Sequence, residues 1–253
     1  MTRLVSGEIR KLFTTKLWLW MLLGAFAITA MFMSFTIGFD GSEGNPNPPL
    51  STDVGQRNLF GVAGAAGVFV LILGIIGITG EFRHQTVTPT FLATPHRGRV
   101  VVSKLVTYAL AGIAYGVAVV VLAVAIALPW VSAKDIDISL TENGIPGTLL
   151  GVVAGVAVYA LLGVGIGALI RNQIAAIVGS LVYLFVVEGF VSALPTIRDY
   201  YKYFPGGANS ALVGAQQPNV TLLEPWQGGV LLVAYGVVFA TAGTWIAVRR
   251  DVS

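Results

Sequence analysis

Both histidines of this 253-residue chain, His84 and His96, fall in one short stretch, TGEFRHQTVTPTFLATPHRGR, residues 79–99. The stretch also holds Glu81, Arg83, Arg97 and Arg99, while its flanks are nearly free of charge. Two imidazoles and one carboxylate without further acids nearby do not make a metal-ligand set. The chain has neither H-E-x-x-H nor G-x-S-x-G, and it has no cysteine, so metallohydrolase, serine-nucleophile and thiolate chemistry lack their residues. Nor is there a G-x-x-x-x-G-K-[ST] loop to cradle a nucleotide's phosphates. The chain is therefore not expected to be an enzyme or to bind a cofactor. The histidines read as polar loop residues. The other residue with chemical potential is Glu188, in LFVVEGFV, the one acid inside an apolar segment. An acid at mid-bilayer costs at least about 2.5 kcal/mol and usually marks function. Glu188 has two readings: a substrate or cation contact in a pathway, or a structural acid paired with tyrosine or backbone donors of the loop that follows.

The elements that must position these residues follow from composition. Hydrophobic residues make up 55% of the chain and charged ones 11%, with a mean hydropathy of +0.81. A soluble domain carries about 25% charged residues, so the expected solvent is lipid. A membrane span needs about 20 mostly apolar residues. Six segments qualify, at about 17–39, 59–80, 100–130, 147–170, 174–194 and 226–248, the third closed by Pro129-Trp130. The first apolar run is too long for the h-region of a signal peptide. The fold expected is a single all-α membrane domain of six transmembrane helices.

Lysine and arginine then set the orientation. With six spans both termini share a side, and that side takes eleven of the fifteen cations against four on the other. The excess puts both termini in the cytoplasm of a multi-pass cell (plasma) membrane protein. The net charge of +3 is thus a topology signal, and nucleic acid has no place among the partners. Ahead of the first span, MTRLVSGEIRKLFTTK places Leu4, Val5, Ile9, Leu12 and Phe13 on one helical face and Arg3, Ser6, Arg10 and Thr14 on the other. This is the pattern of an interfacial amphipathic helix on the bilayer, with Arg10 and Lys11 drawn to anionic lipid. Glu8 falls within the apolar arc. It is either an anion near a helix start, where the macrodipole favours it, or a contact to a partner protein or a nearby arginine.

The histidine-bearing stretch lies between spans two and three. Thr88 and Pro89 read as an N-cap and first helical residue, and Pro95 disfavours helix at Thr94. One or two turns remain, with Phe91 and Leu92 as apolar knobs: either a handle for another protein or a basic loop that only sets topology. On the far side, 40–58 reads as irregular, and 195–225 carries interfacial aromatics and a short helix expected at 209–215. Gly151, Gly155, Gly163 and Gly167 form two small-x-x-x-small patterns suited to close helix packing.

Glu81-Phe82-Arg83-His84-Gln85-Thr86, followed by Leu92, Pro95, Arg97 and Lys104, resembles the E-x-R-x-x-T…L…P…R…K pattern of ABC-transporter permeases of the second exporter type. Glu8-Ile9-Arg10-Lys11 is similar to that family's interfacial helix, and the six spans fit, so the likeness covers essentially the whole chain. Gln85 stands where the family often has glycine. The resemblance implies a cytoplasmic coupling helix between spans two and three that docks into an ATP-binding subunit. It also implies short re-entrant helices before span six. In this reading Phe91 and Leu92 are contacts in the partner's groove, Arg83, Arg97 and Arg99 are charge partners, and Glu81 caps or pairs locally. The expected assembly has two copies of a cytosolic ABC ATPase, which hold the ATP and magnesium, and a second permease copy or a related permease. The expected function is export from the cytoplasm. The rivals from other classes are a membrane scaffold that recruits a cytosolic partner and an ion-coupled secondary transporter that uses Glu188.

Overall fold

The computed structural model describes residues 1–45, 47–83, 97–217 and 219–249. Helix α1 (Thr2–Thr14) precedes α2 (Leu17–Gly38). Helix α3 (Asp53–Gly61) runs through a 3-10 turn at Val62–Ala66 into α4 (Gly67–Arg83). Then come α5 (Arg97–Ser132), α6 (Ile145–Ile170) and α7 (Gln173–Leu181), which passes through a π-helical turn at Val182–Val187 into α8 (Glu188–Ala193). A 3-10 turn at Arg198–Tyr203 and α9 (Pro205–Leu212) lead to α10 (Pro225–Arg249). Six of these segments are long and apolar enough to cross a membrane, so this is an all-helical, multi-pass membrane protein. The end of the bundle that carries α1 and the last turn of α4 is here the near end; the other is the far end.

Helix α6 is the centre, packed against α4, α5 and α10. Its central window is 61% buried, whereas that of α2 is 22% buried. Small residues allow this. A methyl group on Gly163 would lie 2.1 Å from the Leu71 carbonyl oxygen, and one on Gly74 would lie 2.5 Å from that of Ala160. The backbones of α4 and α6 therefore touch, and the glycine patterns on α6 pack within the bundle. Helix α2 buries only Ala25, Thr29, Met33 and Ile37, a four-residue repeat that makes one narrow stripe. Its exposed face carries Leu19, Trp20, Leu23, Met31 and Phe35, as a helix facing hydrocarbon should.

Several expected boundaries move for local reasons. Span two begins at Asp53, inside the stretch expected to be irregular, because Thr52 Oγ1 accepts from Gly55 N–H at 3.1 Å and caps the helix. Hydropathy misses this first turn because its side chains are polar. Gln56 and Arg57 donate to the carbonyls of Asp137 and Asn143, and Asn58 exchanges two hydrogen bonds with Gln216. Span three continues past Pro129 to Ser132. A proline in the last turn forfeits one hydrogen bond without ending the helix. Span five is one apolar run but not one α-helix, since the π-turn interrupts it. The short helix expected at 209–215 lies at Pro205–Leu212 instead, with Phe204 extended and Pro205 in the first turn.

Candidate functional site

The expected coupling helix, with His84, Phe91, Leu92 and His96, lies outside the described residues. The two helices that root this loop are described, and they are fastened together. Helix α1 is amphipathic as the sequence reads: Leu4, Val5, Ile9 and Leu12 turn inward, while Arg3, Ser6, Arg10 and Thr14 are exposed. Phe13 is 56% exposed but rests edge-on against Trp18, with ring centroids 5.0 Å apart. The one buried residue of α1 is Glu8. On α5, Val100, Val101, Lys104 and Tyr108 share a buried face at helical spacing. A base thus sits in the apolar stripe of α5 and an acid in that of α1, and the two stripes face each other.

The Lys104 ammonium lies 2.6 Å from Glu8 Oε2 and 2.7 Å from Glu81 Oε1. Its third contact, at 3.5 Å, is the Gly77 carbonyl. Lys11 closes the ring, 2.7 Å from Glu8 Oε1 and 2.8 Å from Glu81 Oε1. The cluster of two acids and two bases is neutral, and it joins α1, the last turn of α4 and the second turn of α5. Burial alone would raise the Glu8 carboxyl, but the adjoining Lys104 and Lys11 overcome it and hold the group below its ordinary 4.5. Burial likewise works against the Lys11 ammonium, yet hydrogen bonds to Glu8 and Glu81 lift it above 10.5. Glu8 therefore contacts lysines of its own chain, where an arginine or a partner protein stood among its expected contacts.

A second fastening holds the neighbouring turn. The Arg171 guanidinium carbon lies 5.0 Å from the Phe82 ring centroid, a cation–π distance. Arg171 ends α6 in the left-handed region, φ +56°, with its N–H on the Gly167 carbonyl. That conformation costs a non-glycine residue about 1–2 kcal/mol, and the ring contact helps hold it. Asn172 then caps α7 through Ala175 N–H at 3.0 Å. Arg83 and Arg99 are exposed beside the loop, and Arg97 lies in the first turn of α5. The three cations expected to meet a partner thus border the loop, while Glu81 turns inward to the lysines.

The cluster suits mechanical joining rather than chemistry. Each carboxylate already holds two ammonium groups, and among the described residues there is no group of three histidine, cysteine, aspartate or glutamate side chains placed to hold a metal. No family model matches the chain, and no curated protein does.

Glu188 stands apart from this cluster. It begins α8 immediately after the π-turn and is 3% exposed. Its Oε2 accepts from Gly206 N–H of α9 at 2.8 Å. A methyl group on Gly206 would lie 2.1 Å from that oxygen, so only glycine lets α9 approach so closely.

Proposed function

We propose that this chain is the membrane-spanning permease subunit of an ATP-driven ABC exporter of the second exporter type. In this reading both termini are cytoplasmic, α1 lies at the inner leaflet and α9 is a re-entrant helix on the outside. ATP and magnesium reside on two copies of a cytosolic ATPase. A second permease, identical or related, completes the pathway. The observation that carries the reading is the four-membered ion-pair cluster. It joins α1, α4 and α5 at the root of loop 84–96, which Arg83, Arg97 and Arg99 flank. A docking loop transmits force only if its base resists bending, and a loop that merely sets topology needs no such joint. Motion of the ATPase against the loop then biases two packings of the spans.

The test is a mild-detergent pull-down of the tagged chain from its native membrane, with ATPase assay of the eluate. A stoichiometric ATP-binding chain, lost on Phe91→Asp with Leu92→Asp, is the expected result. Arg97→Glu is expected to lower transport-coupled ATP hydrolysis with expression unchanged. A chain that purifies alone, without ATPase activity, overturns the exporter and leaves a scaffold. Flux driven by an ion gradient without ATP moves the assignment to a secondary transporter.

A further inference from the structure

The far end holds a feature that the exporter reading does not use. Glu188 Oε1 and Asn209 Oδ1 are buried oxygens with no hydrogen-bond partner among the described residues. Both residues line one half-open cavity of about 400 Å³. Asn209 and Gly206 stand three apart on α9, hence on one helical face, and Gly206 is the residue that binds the other Glu188 oxygen. Glycine again permits the arrangement: a methyl group on Gly155 would lie 2.3 Å from Asn209 Oδ1. The π-turn at Val182–Val187 directly precedes Glu188. Such turns concentrate at functional sites, because the extra residue re-aims the side chains that follow.

Two buried acceptors without donors are costly, and an intramembrane acid is a functional group by default. The rest of the lining decides the ligand. It includes Ile28 and Phe32 from α2, Val62 from the 3-10 turn, and Leu184 and Phe185 from the π-turn. A bare divalent cation such as calcium takes six to eight oxygen ligands. The lining also holds Thr36, Asn58, Ser210 and Gln217, but their side chains are engaged with Phe32, Gln216 and one another, and the two orphan oxygens alone are too few. A primary ammonium brings up to three donors on one positive centre, and its apolar body matches the walls. We infer that the cavity between α2, α8 and α9 binds an organic amine, with its ammonium head on Glu188 and Asn209 and its apolar body against Phe32, Leu184 and Phe185.

This site needs neither an ATPase nor a second copy of the chain, so it goes beyond the exporter reading and fails separately from it. The test uses the purified full chain in detergent and three probes of one shape: phenylbutylamine, its N-trimethyl derivative and phenylbutanol. Saturable binding of the primary amine is expected, with each analogue weaker by roughly tenfold or more, because a lost charged hydrogen bond is worth that much. Glu188→Gln keeps an acceptor for Gly206 N–H and supplies amide donors, so it is expected to fold and to lose the preference for the amine. Asn209→Ala provides a second variant and is expected to weaken amine binding while sparing the alcohol. Equal binding of all three probes, or binding unchanged in both variants, overturns the proposal by reducing it to partition into apolar surface. Equal binding of the trimethyl derivative removes the two-acceptor head. Displacement of the amine by potassium or sodium chloride but not by choline chloride at equal ionic strength reassigns the oxygens to an inorganic cation and also overturns it.

Discussion

Two glutamates are buried in this bundle, Glu8 at the near end and Glu188 at the far end, and their surroundings differ. Both carboxylate oxygens of Glu8 meet ammonium groups, and those ammoniums in turn meet Glu81. Glu188 has one oxygen on a backbone N–H and the other on nothing among the described residues. A closed, neutral network rigidifies the elements that contribute to it. A half-satisfied one leaves the native state short of its best energy and leaves binding capacity for something else. The same residue type, buried to a similar degree, thus serves as a fastener at one end and as a receptor for a donor at the other.

Removing the centre of the near cluster should break the comparison most severely. Lys104→Met leaves Glu8 and Glu81 facing each other with only Lys11, itself about half-exposed, to separate them. Removing one partner of a buried ion pair costs about 3–5 kcal/mol, and Lys11 should keep the loss near 3 kcal/mol. Thermal unfolding in detergent measures it. Glu8→Gln and Glu81→Gln added to Lys104→Met should recover most of the loss, because burying neutral groups carries no such penalty. A stable single variant would show that the cluster is ornamental.

At the far end, Gly206→Ala is the matching disruption. Its methyl group must displace either α9 or the Glu188 carboxylate, which overpacking and one broken hydrogen bond put at about 1–3 kcal/mol. Amine binding should fall with it. Isosteric substitution then separates the two glutamates by sign. Glu8→Gln loses charge pairing and should destabilise by about 1–2 kcal/mol. Glu188→Gln should leave stability unchanged or raise it, since an amide in place of the orphan oxygen can donate. Equal losses in the two variants would erase the distinction.

How much of this was legible in the sequence depends on which physical signal carries each part. The six spans were, because hydropathy over long windows reads lipid-facing surface directly. The polar first turn of α3 was hidden from the same measure, and so was the π-turn within span five, which leaves no compositional mark in VYLFVV. Glu8 was visible as an acid within an apolar arc, but its partners were not. Their signal was there to be paired: Lys104 sits among Val100, Val101 and Tyr108 as Glu8 sits among Leu4, Val5 and Leu12. A lone charge of each sign in two apolar stripes points to a cross-link, whereas the expectation was an anion near a helix start or a contact to an arginine or another protein. The contact of Phe82 with Arg171 had no such signal, because it joins residues far apart in sequence across a turn of unusual backbone. Asn209 was read only as part of a short helix, and its meaning depends on Gly155 beside it and on the cavity it shares with Glu188.

The smallest effect concerns pH, and it tests whether the near cluster is held together by charge. The Glu8 carboxyl is held below 4.5 in the folded chain. Its contribution is therefore complete above that ordinary value and fades as pH falls through the lowered one. Lys11 is held above 10.5, so its contribution is complete below that value and fades as pH rises through the raised one. The two limbs should separate by variant. Glu8→Gln should flatten the acid limb of the stability curve. Lys11→Met should cost no more than about 1 kcal/mol at neutral pH, as half-exposed pairs do, and should flatten the alkaline limb alone. High salt should weaken the Lys11 arm and spare the Lys104 arm, since a buried pair is screened far less than an exposed one. An acid limb unaltered by Glu8→Gln would mean that Glu8 is already neutral in the fold, and that the near end is fastened by apolar packing of α1 on α5 instead.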